Sequence, residues 1–227
     1  AEKVDKEWFS HTRFGDLLKH SVLKSSGDTL TDVYDYKYCR QTLLAKHSRL
    51  LNGKILDMEE LVYDSVRNGR CMLYMPTQIL KGIPGKMEIR TRYSHYDTYG
   101  NPTVRDEDGV VTIYLWGYRG QYPVAKIENS TYAEVQQALG RLPESCSSAI
   151  TYESVVATLR EKLFGARVST SKYLFSVGLT GKTDPAGRQM EYNYDSQGRL
   201  IETCRFNEQG QRNLTGFHQY HLVNESN

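Results

Sequence analysis

The sequence predicts a mainly β fold, an open, twisted antiparallel meander of hairpins with a small helical insert. Tyrosine is abundant, with 17 Tyr against 6 Phe. It suits strands in which one ring face packs and the hydroxyl stays wet. Short runs of alternating polarity recur between turns rich in Gly, Asn and Asp. Two segments also repeat one another. Tyr93-Ser94-His95-Tyr96-Asp97-Thr98-Tyr99-Gly100 and Tyr192-Asn193-Tyr194-Asp195-Ser196-Gln197-Gly198 share Tyr-Asp-x-x-Gly, followed by a strand and then a polar residue before Gly.

The bulk properties narrow the function. A chain of 227 residues can bury a core, as one large domain or two small ones. A net charge of +2, from 29 basic and 27 acidic residues, is too balanced for a nucleic-acid footprint. No apolar run approaches the length of a membrane span. The polar start Ala1-Glu2-Lys3-Val4-Asp5-Lys6 suits a mature secreted chain whose leader is gone, and equally a trimmed one. Cys39, Cys71, Cys146 and Cys204 form no C-x-x-C pair. Free, partly buried thiols are expected ahead of a disulfide.

Taken in order, Phe14, Leu17, Leu18, Ser21 and Val22 fall at helical spacing and predict a short helix ending near Ser25-Ser26-Gly27. Val33 to Tyr38 alternates as a strand. Residues 1–54 thus read as an N-terminal region, a short helix plus a strand, packed on the sheet. Residues 55–227 read as the sheet itself, with an insert at about 130–165, in one structural unit. Glu60–Val66 and Cys71–Met75 flank Arg67-Asn68-Gly69-Arg70, and Asn-Gly between apolar runs is a strong hairpin signal. In Lys86–Tyr96, Met87, Ile89, Thr91 and Tyr93 alternate with Lys86, Glu88, Arg90 and Arg92, giving one packed and one wet face. Turns follow at Tyr99–Pro102 and Glu107–Gly109, and Val110–Trp116 reads as the most buried strand.

The middle of the chain is helical. Thr131-Tyr132-Ala133-Glu134 is a capping box opening a helix to about Leu139, stopped by Gly140. Pro143–Ser148 reads as a loop. A second helix runs from about Thr151 to Leu163, with Val155, Val156, Leu159 and Leu163 as its stripe and Gly165 at its end. Strands resume near Val168. Asp184, Pro185 and Gly187 take positions i, i+1 and i+3 of a type I turn. Met190, Tyr192 and Tyr194 share a face. Asp195–Gly198 turns, Leu200–Phe206 returns, Asn207–Gly210 turns again, and His218, Tyr220 and Leu222 suggest a last strand.

Tyr194-Asp195-Ser196-Gln197-Gly198-Arg199-Leu200 resembles the YD repeat of RHS-type proteins. The stretch Tyr96-Asp97-Thr98-Tyr99-Gly100-Asn101-Pro102, with Tyr114-Leu115-Trp116-Gly117-Tyr118 and Gln121-Tyr122-Pro123-Val124-Ala125, resembles the RHS-repeat proteins of Bacteroidetes. The resemblance covers roughly residues 55 to 210. It implies a β-rich architecture and an extracellular or cell-envelope location. Complete members of the class look like strand-wound shells around a cargo. Two clear repeats are too few to close a shell, so this chain is similar to the C-terminal part of such a protein or to a short relative.

Within that resemblance Tyr96, Asp97, Gly100, Tyr194, Asp195, Gly198 and Arg199 are structural: Tyr packs, Asp binds turn amides, and Gly supplies positive φ. No catalytic set is evident, so no enzyme, cofactor or metal is expected. His218 and His221 would fall on opposite faces of a strand. Asp106, Glu107 and Asp108 read as a solvated turn ahead of a calcium site. Asp184-Pro185-x-Gly187 reads as a turn ahead of the self-cleaving motif of toxin-type RHS cores. The expected role is structural, or the binding of a protein or glycan through an aromatic patch of Tyr96, Tyr99, Trp116, Tyr118 and Tyr122. The alternative is a shell fragment of a polymorphic-toxin system lacking its toxin. Unpaired sheet edges predict an edge-strand homodimer.

Overall fold

The computed structural model describes residues 6–39, 41–68, 71–148, 152–207 and 209–220, with the backbone path alone at 66–68, 71, 147–148, 152–153 and 155–156. The fold is the predicted one: an antiparallel open meander with a small helical insert. Its strands are β1 (Lys6–His11), β2 (Leu17–Leu23), β3 (Thr29–Tyr38), β4 (Thr42–Leu51), β5 (Lys54–Asn68), β6 (Cys71–Ile83), β7 (Lys86–Tyr96), β8 (Pro102–Glu107), β9 (Val110–Gly117) and β10 (Tyr122–Glu128). After the insert come β11 (Arg167–Leu174), β12 (Gly178–Thr183), β13 (Gln189–Tyr194), β14 (Leu200–Phe206) and β15 (Arg212–Phe217). Every strand neighbours the next in sequence, from β1 to β15. Contacts divide the chain into two compact units. One holds residues up to Ser94 with Asp106–Gly109; the other holds His95–Arg105 with Val110 onward.

The first unit corrects one expectation. Leu17–Leu23 is a strand, not a helix. A helix this short is marginal on its own, whereas as a strand the segment gains ladders on both sides, with Lys6–His11 and with Thr29–Val33. Apolar spacing is outweighed here by the partners available in space. The unit buries little: Val22, Leu43 and Met58, with the polar Ser21, Thr31, Ser48 and Thr91. Ser21 and Thr31 hydroxyls sit across the pair at 3.0 Å. One face carries a polar row instead of a core. Asp32 bonds His47 at 2.7 Å and Arg49 at 3.3 Å, Tyr34 stacks on His47 at 4.7 Å, and Lys81 pairs with Glu59 at 2.9 Å. The alternation read in Lys86–Tyr93 holds, with Lys86, Glu88, Arg90 and Arg92 exposed. The hairpin read at 67–70 joins β5 to β6 in register, Asn68 opposite Cys71, while Gly69 and Arg70 lie outside the described residues.

The second unit holds the core. On β9–β11 the register sets Ile113 beside Ile127 and Ile127 beside Val168, with Leu115 beside Ala125. These residues form one apolar face, fully buried at Ile113, Leu115 and Ile127. It is covered by α1 (Tyr132–Leu139) and α2 (Tyr152–Lys162), which contribute Val135, Ala138 and Leu159, with Leu163 just beyond α2. The capping box forms as read: Thr131 Oγ1 accepts from Glu134 N at 3.2 Å, and the Glu134 carboxylate accepts from Thr131 N at 2.7 Å. Pro143–Ser148, expected as loop, is a 3₁₀ turn that packs Pro143 and Cys146 inward. Of the predicted α2 stripe, Leu159 and Leu163 are buried, while Val155 and Val156 lie outside the described side chains. Arg160 ties α2 to the sheet, donating to Val168 O and Asp184 O at 2.7 and 2.8 Å.

Candidate functional site

The repeated Tyr-Asp-x-x-Gly unit resolves into two devices. The first is a five-residue turn. At Asp97–Asn101 the amide of Asp97 donates to Asn101 O and that of Gly100 to Asp97 O, at 2.9 and 3.1 Å. Asp97 Oδ1 accepts from the amides of Tyr99 and Asn101 at 2.9 and 2.8 Å. Asp195–Arg199 repeats this, with Oδ1 accepting from Gln197 N and Arg199 N, both at 2.9 Å. Arg199 Nε binds Asp195 Oδ2 at 2.7 Å. Arg188 does the same for Asp184 at 2.6 Å. The Arg after Gly thus holds the second carboxylate oxygen.

These bonds move the carboxyls. The amide of Arg199, with its guanidinium, holds Asp195 below the usual carboxylate range despite partial burial. At Asp184 burial pulls upward, but the Arg188 amide and guanidinium outweigh it and the carboxyl is again lowered. Such carboxylates are acceptors for a turn and poor proton donors.

Three further turns share the backbone pattern: Thr12–Asp16, Lys24–Asp28 and Asn207–Gln211. Thr12 Oγ1 accepts from Phe14 N and Asp16 N, as the Asp does elsewhere. The Asn207–Gly210 and Asp184–Gly187 turns were expected from the sequence; Thr12 and Lys24 were missed, because neither turn opens on the Asp or Asn that marks the others. A Gly followed by Asp, repeated twelve residues apart at Gly15-Asp16 and Gly27-Asp28, was the available signal.

The second device is a tyrosine staple. Single-residue bulges leave Leu18, Ala45, Thr180 and Ile201 without a partner in the register. A bulge disrupts the ladder locally, and a tyrosine hydroxyl reaches the carbonyl just before each one. Tyr36 donates to Leu17 O at 3.0 Å, Tyr63 to Leu44 O at 2.9 Å, Tyr194 to Leu179 O at 2.7 Å and Tyr220 to Leu200 O at 3.0 Å. Desolvation raises the hydroxyl pKa of Tyr36, Tyr63 and Tyr194. Thr77, Thr180 and Thr215, themselves bulge residues, donate to the facing strand at Val62 O, Lys172 O and Thr203 O. The repeat's Tyr194 is therefore a hydrogen-bond donor to the sheet as well as a packing ring.

The predicted aromatic patch separates into parts. Tyr118 and Tyr122 join Tyr173, which the sequence did not single out: Tyr122 stacks on Tyr173 at 4.4 Å, and Tyr118 meets both edge-on. The Tyr118 hydroxyl accepts from Tyr173 N at 3.0 Å. Trp116 pairs with Tyr114 and donates through Nε1 to Pro102 O at 3.0 Å. Tyr99, 50% exposed, lies over Gly120, where an added Cβ would stand 2.5 Å from its ring. Tyr96 is half-buried. Three left-handed residues, Tyr118, Arg119 and Gly120 (φ 51°, 58° and 75°), shape the loop under this cluster. Asn101 Nδ2 clamps it through Gly120 O at 2.7 Å.

The remaining candidates are engaged locally. Asp108 pairs with Arg90 at 3.1 Å, and Asp106 accepts from Gly109 N at 2.9 Å. His218 is exposed, and His221 lies outside the described residues. Among the described residues no cluster of three potential metal ligands occurs, and Cys39, Cys146 and Cys204 are free. Burial pushes the Cys146 thiol up to about 11. Among the described residues no helix is long and apolar enough to cross a membrane.

No protein-family model and no curated protein matches this sequence. Among solved structures, similar chains occur in the crystal structure of TcdB2-TccC3-Cdc42, at TM-score 0.43 and 9% identity over 92% of this chain and 15% of that one. TcdB2-TccC3 without its hypervariable C-terminal region gives 0.44 and 9%, over 92% and 14%. The Photorhabdus luminescens Tc holotoxin pore gives 0.43 and 10%, over 88% and 12%. The chain thus spans a small fraction of the length of each.

Proposed function

We propose that the chain is a non-catalytic YD-repeat module of the Bacteroidetes RHS type, working at the cell surface or outside the cell as a structural and interaction element. One observation carries this. The side chains of the turns and bulges are consumed by the fold: Asp97, Asp184 and Asp195 by turn amides, Tyr36, Tyr63, Tyr194 and Tyr220 by strand carbonyls. Of the predicted patch, Tyr99 is the ring left at the surface, and it is then the contact group for a protein or glycan. The location rests on the sequence resemblance alone. The test is a pull-down against envelope extract with the wild type and with Tyr99→Ser/Tyr122→Ser. A specific partner lost in the variant supports the reading; a partner captured equally by both removes the patch from it.

The second reading, a wall segment of an RHS-type toxin shell without its toxin, is favoured by the recurrence of one turn device in both units. It expects chains that associate through β1 and β15, each of which has a strand neighbour on one side only among the described residues. Light scattering that finds a strict monomer at high concentration counts against it and against an edge-strand homodimer alike.

A further inference from the structure

Two of the five-residue turns stand at the same end of β12–β15. Asp184–Arg188 joins β12 to β13, and Asn207–Gln211 joins β14 to β15. Between them lies a trough of about 950 Å³. Arg188, Gln189, Arg205 and Asn213 line it, and among the described residues no carboxylate does. The register explains the charge. Arg205 faces Met190 on one side and Asn213 on the other. Arg188 precedes Met190 by two residues, so the two arginines stand diagonally across neighbouring strands, a spacing of roughly 7–8 Å that long side chains close. The strand carboxylates of β12–β15, Glu191 and Glu202, fall on the opposite face, where Arg212 holds them at 3.5 and 2.6 Å.

Both guanidiniums keep donors in reserve. That of Arg205 is exposed and makes no hydrogen bond or ion pair with a described residue. Arg188 commits Nε to Asp184 Oδ2 at 2.6 Å and is 60% exposed. Its counterpart Arg199 binds Asp195 in the same way, but is 34% exposed and lies over the Tyr220 ring, 4.7 Å from the centroid. The Asn207 turn also omits the acid that the other copies carry. Five of the six turns have a carboxylate at the first or last position, at Asp16, Asp28, Asp97, Asp184 and Asp195. The sixth has Asn207 and Gln211, whose side chains bond each other at 2.9 Å.

We propose that this trough binds a phosphate monoester, with Arg205 and Arg188 each taking phosphate oxygens. The site is separate from the aromatic patch and does not depend on it. A guanidinium offers its donors as a planar fork, and one fork fills both oxygens of a carboxylate. A tetrahedral phosphate has oxygens for two forks and for an amide donor such as Asn213 Nδ2. The volume exceeds that of bare phosphate and lies at the upper end of the roughly 300–1,000 Å³ usual for small-molecule sites, so there is room for the group that the phosphate is attached to.

The test is an NMR titration of the full chain with glycerol phosphate, and with sodium chloride at equal ionic strength, following the arginine Nε–H signals. Flotation on phosphatidylcholine vesicles with and without phosphatidic acid runs beside it. Each variant is checked for an unchanged amide spectrum away from the substitution. The wild type should saturate with the ester in the millimolar range and not with chloride. Arg205→Ala should weaken binding roughly tenfold, and Arg205→Lys, which keeps the charge and loses the fork, roughly threefold. Asn207→Asp gives this turn the carboxylate that opens its neighbours, and should weaken binding as Arg205→Ala does. Lys86→Ala, a cation of β7, should change nothing. Saturation by the soluble ester supports the site with a free phosphate compound as its ligand. Capture by the phosphatidic acid vesicles alone, lost in Arg205→Ala, supports it with a lipid headgroup. Absence of both, an equal response to chloride, or binding unchanged in Arg205→Ala or in Asn207→Asp overturns the proposal, while leaving the aromatic-patch reading in place.

Discussion

Asp97→Ala probes the turn where it is most enclosed. Asp97 is 6% exposed and accepts three hydrogen bonds, from Tyr99 N at 2.9 Å, Asn101 N at 2.8 Å and Asn101 Nδ2 at 3.1 Å. Hydrogen bonds to a charged group are each worth about 1.5–3 kcal/mol, and water at the turn recovers part of the loss, so alanine should cost about 2–4 kcal/mol. Asparagine keeps one side-chain oxygen for both amides, as Asn207 does for Gln209 N and Gln211 N at 3.1 and 2.8 Å. Asp97→Asn loses the third bond, because its Nδ2 would face Asn101 Nδ2, and should cost about 1 kcal/mol. The assay is amide hydrogen exchange at Tyr99 and Asn101, alongside urea unfolding. Alanine should speed exchange at both amides roughly thirty- to a thousandfold, asparagine by about fivefold. Equal effects of the two substitutions would refute the argument that the side-chain acceptor holds the turn.

Four further outcomes are expected. Tyr36→Phe and Tyr194→Phe each strip the donor from a bulge carbonyl and should cost about 1 kcal/mol in chemical denaturation; a neutral result in both would sink the staple. Gly120→Ala forces a side chain into φ 75° and into the Tyr99 ring. It should lower the thermal midpoint, and Tyr99→Ala should partly restore it if the ring is the obstacle. Thr131→Ala removes the capping-box acceptor and should cost about 1 kcal/mol, read as helix loss by circular dichroism. Acid is the fourth. Asp184 and Asp195 are held below their ordinary value, so their stabilisation is complete above about pH 4 and is lost as pH falls through the lowered values. The thermal midpoint should drop on that descent, less steeply in Asp195→Asn, and a midpoint that rises there would contradict the assignment.

The sequence was most legible where the signal is local. Met87 to Tyr93 alternates so regularly that its faces needed no partner to be assigned, and Thr131 with Glu134 announces a helix start in four residues. Leu17–Leu23 was misread because its apolar spacing satisfies a helix, and only strands on either side of it decide otherwise. The turn at Thr12 was hidden because a threonine hydroxyl there does the work that a carboxylate does at Asp97. The aromatic residues were found but their grouping was not. Tyr173 lies far along the chain from Tyr118, and the register that joins β10 to β11 across the insert is what makes them neighbours.

That junction has a consequence of its own. Glu128 faces Arg167 and Ile127 faces Val168, so the strands on either side of the insert are in register as though joined directly. Asn129, in the left-handed conformation, closes the gap by donating to Gly165 O at 2.8 Å. The insert hangs from a neck one strand-spacing wide, so its length sets no phase for the sheet. Residues added or removed beyond that neck leave every side chain of β10 and β11 on its present face. What replaces the insert needs an apolar underside for Ile113, Leu115 and Ile127 and, in place of Arg160, a donor for Val168 O and Asp184 O. The meander is in this sense a rack with a socket, on which a different cap of matching underside can be mounted without re-registering a single strand.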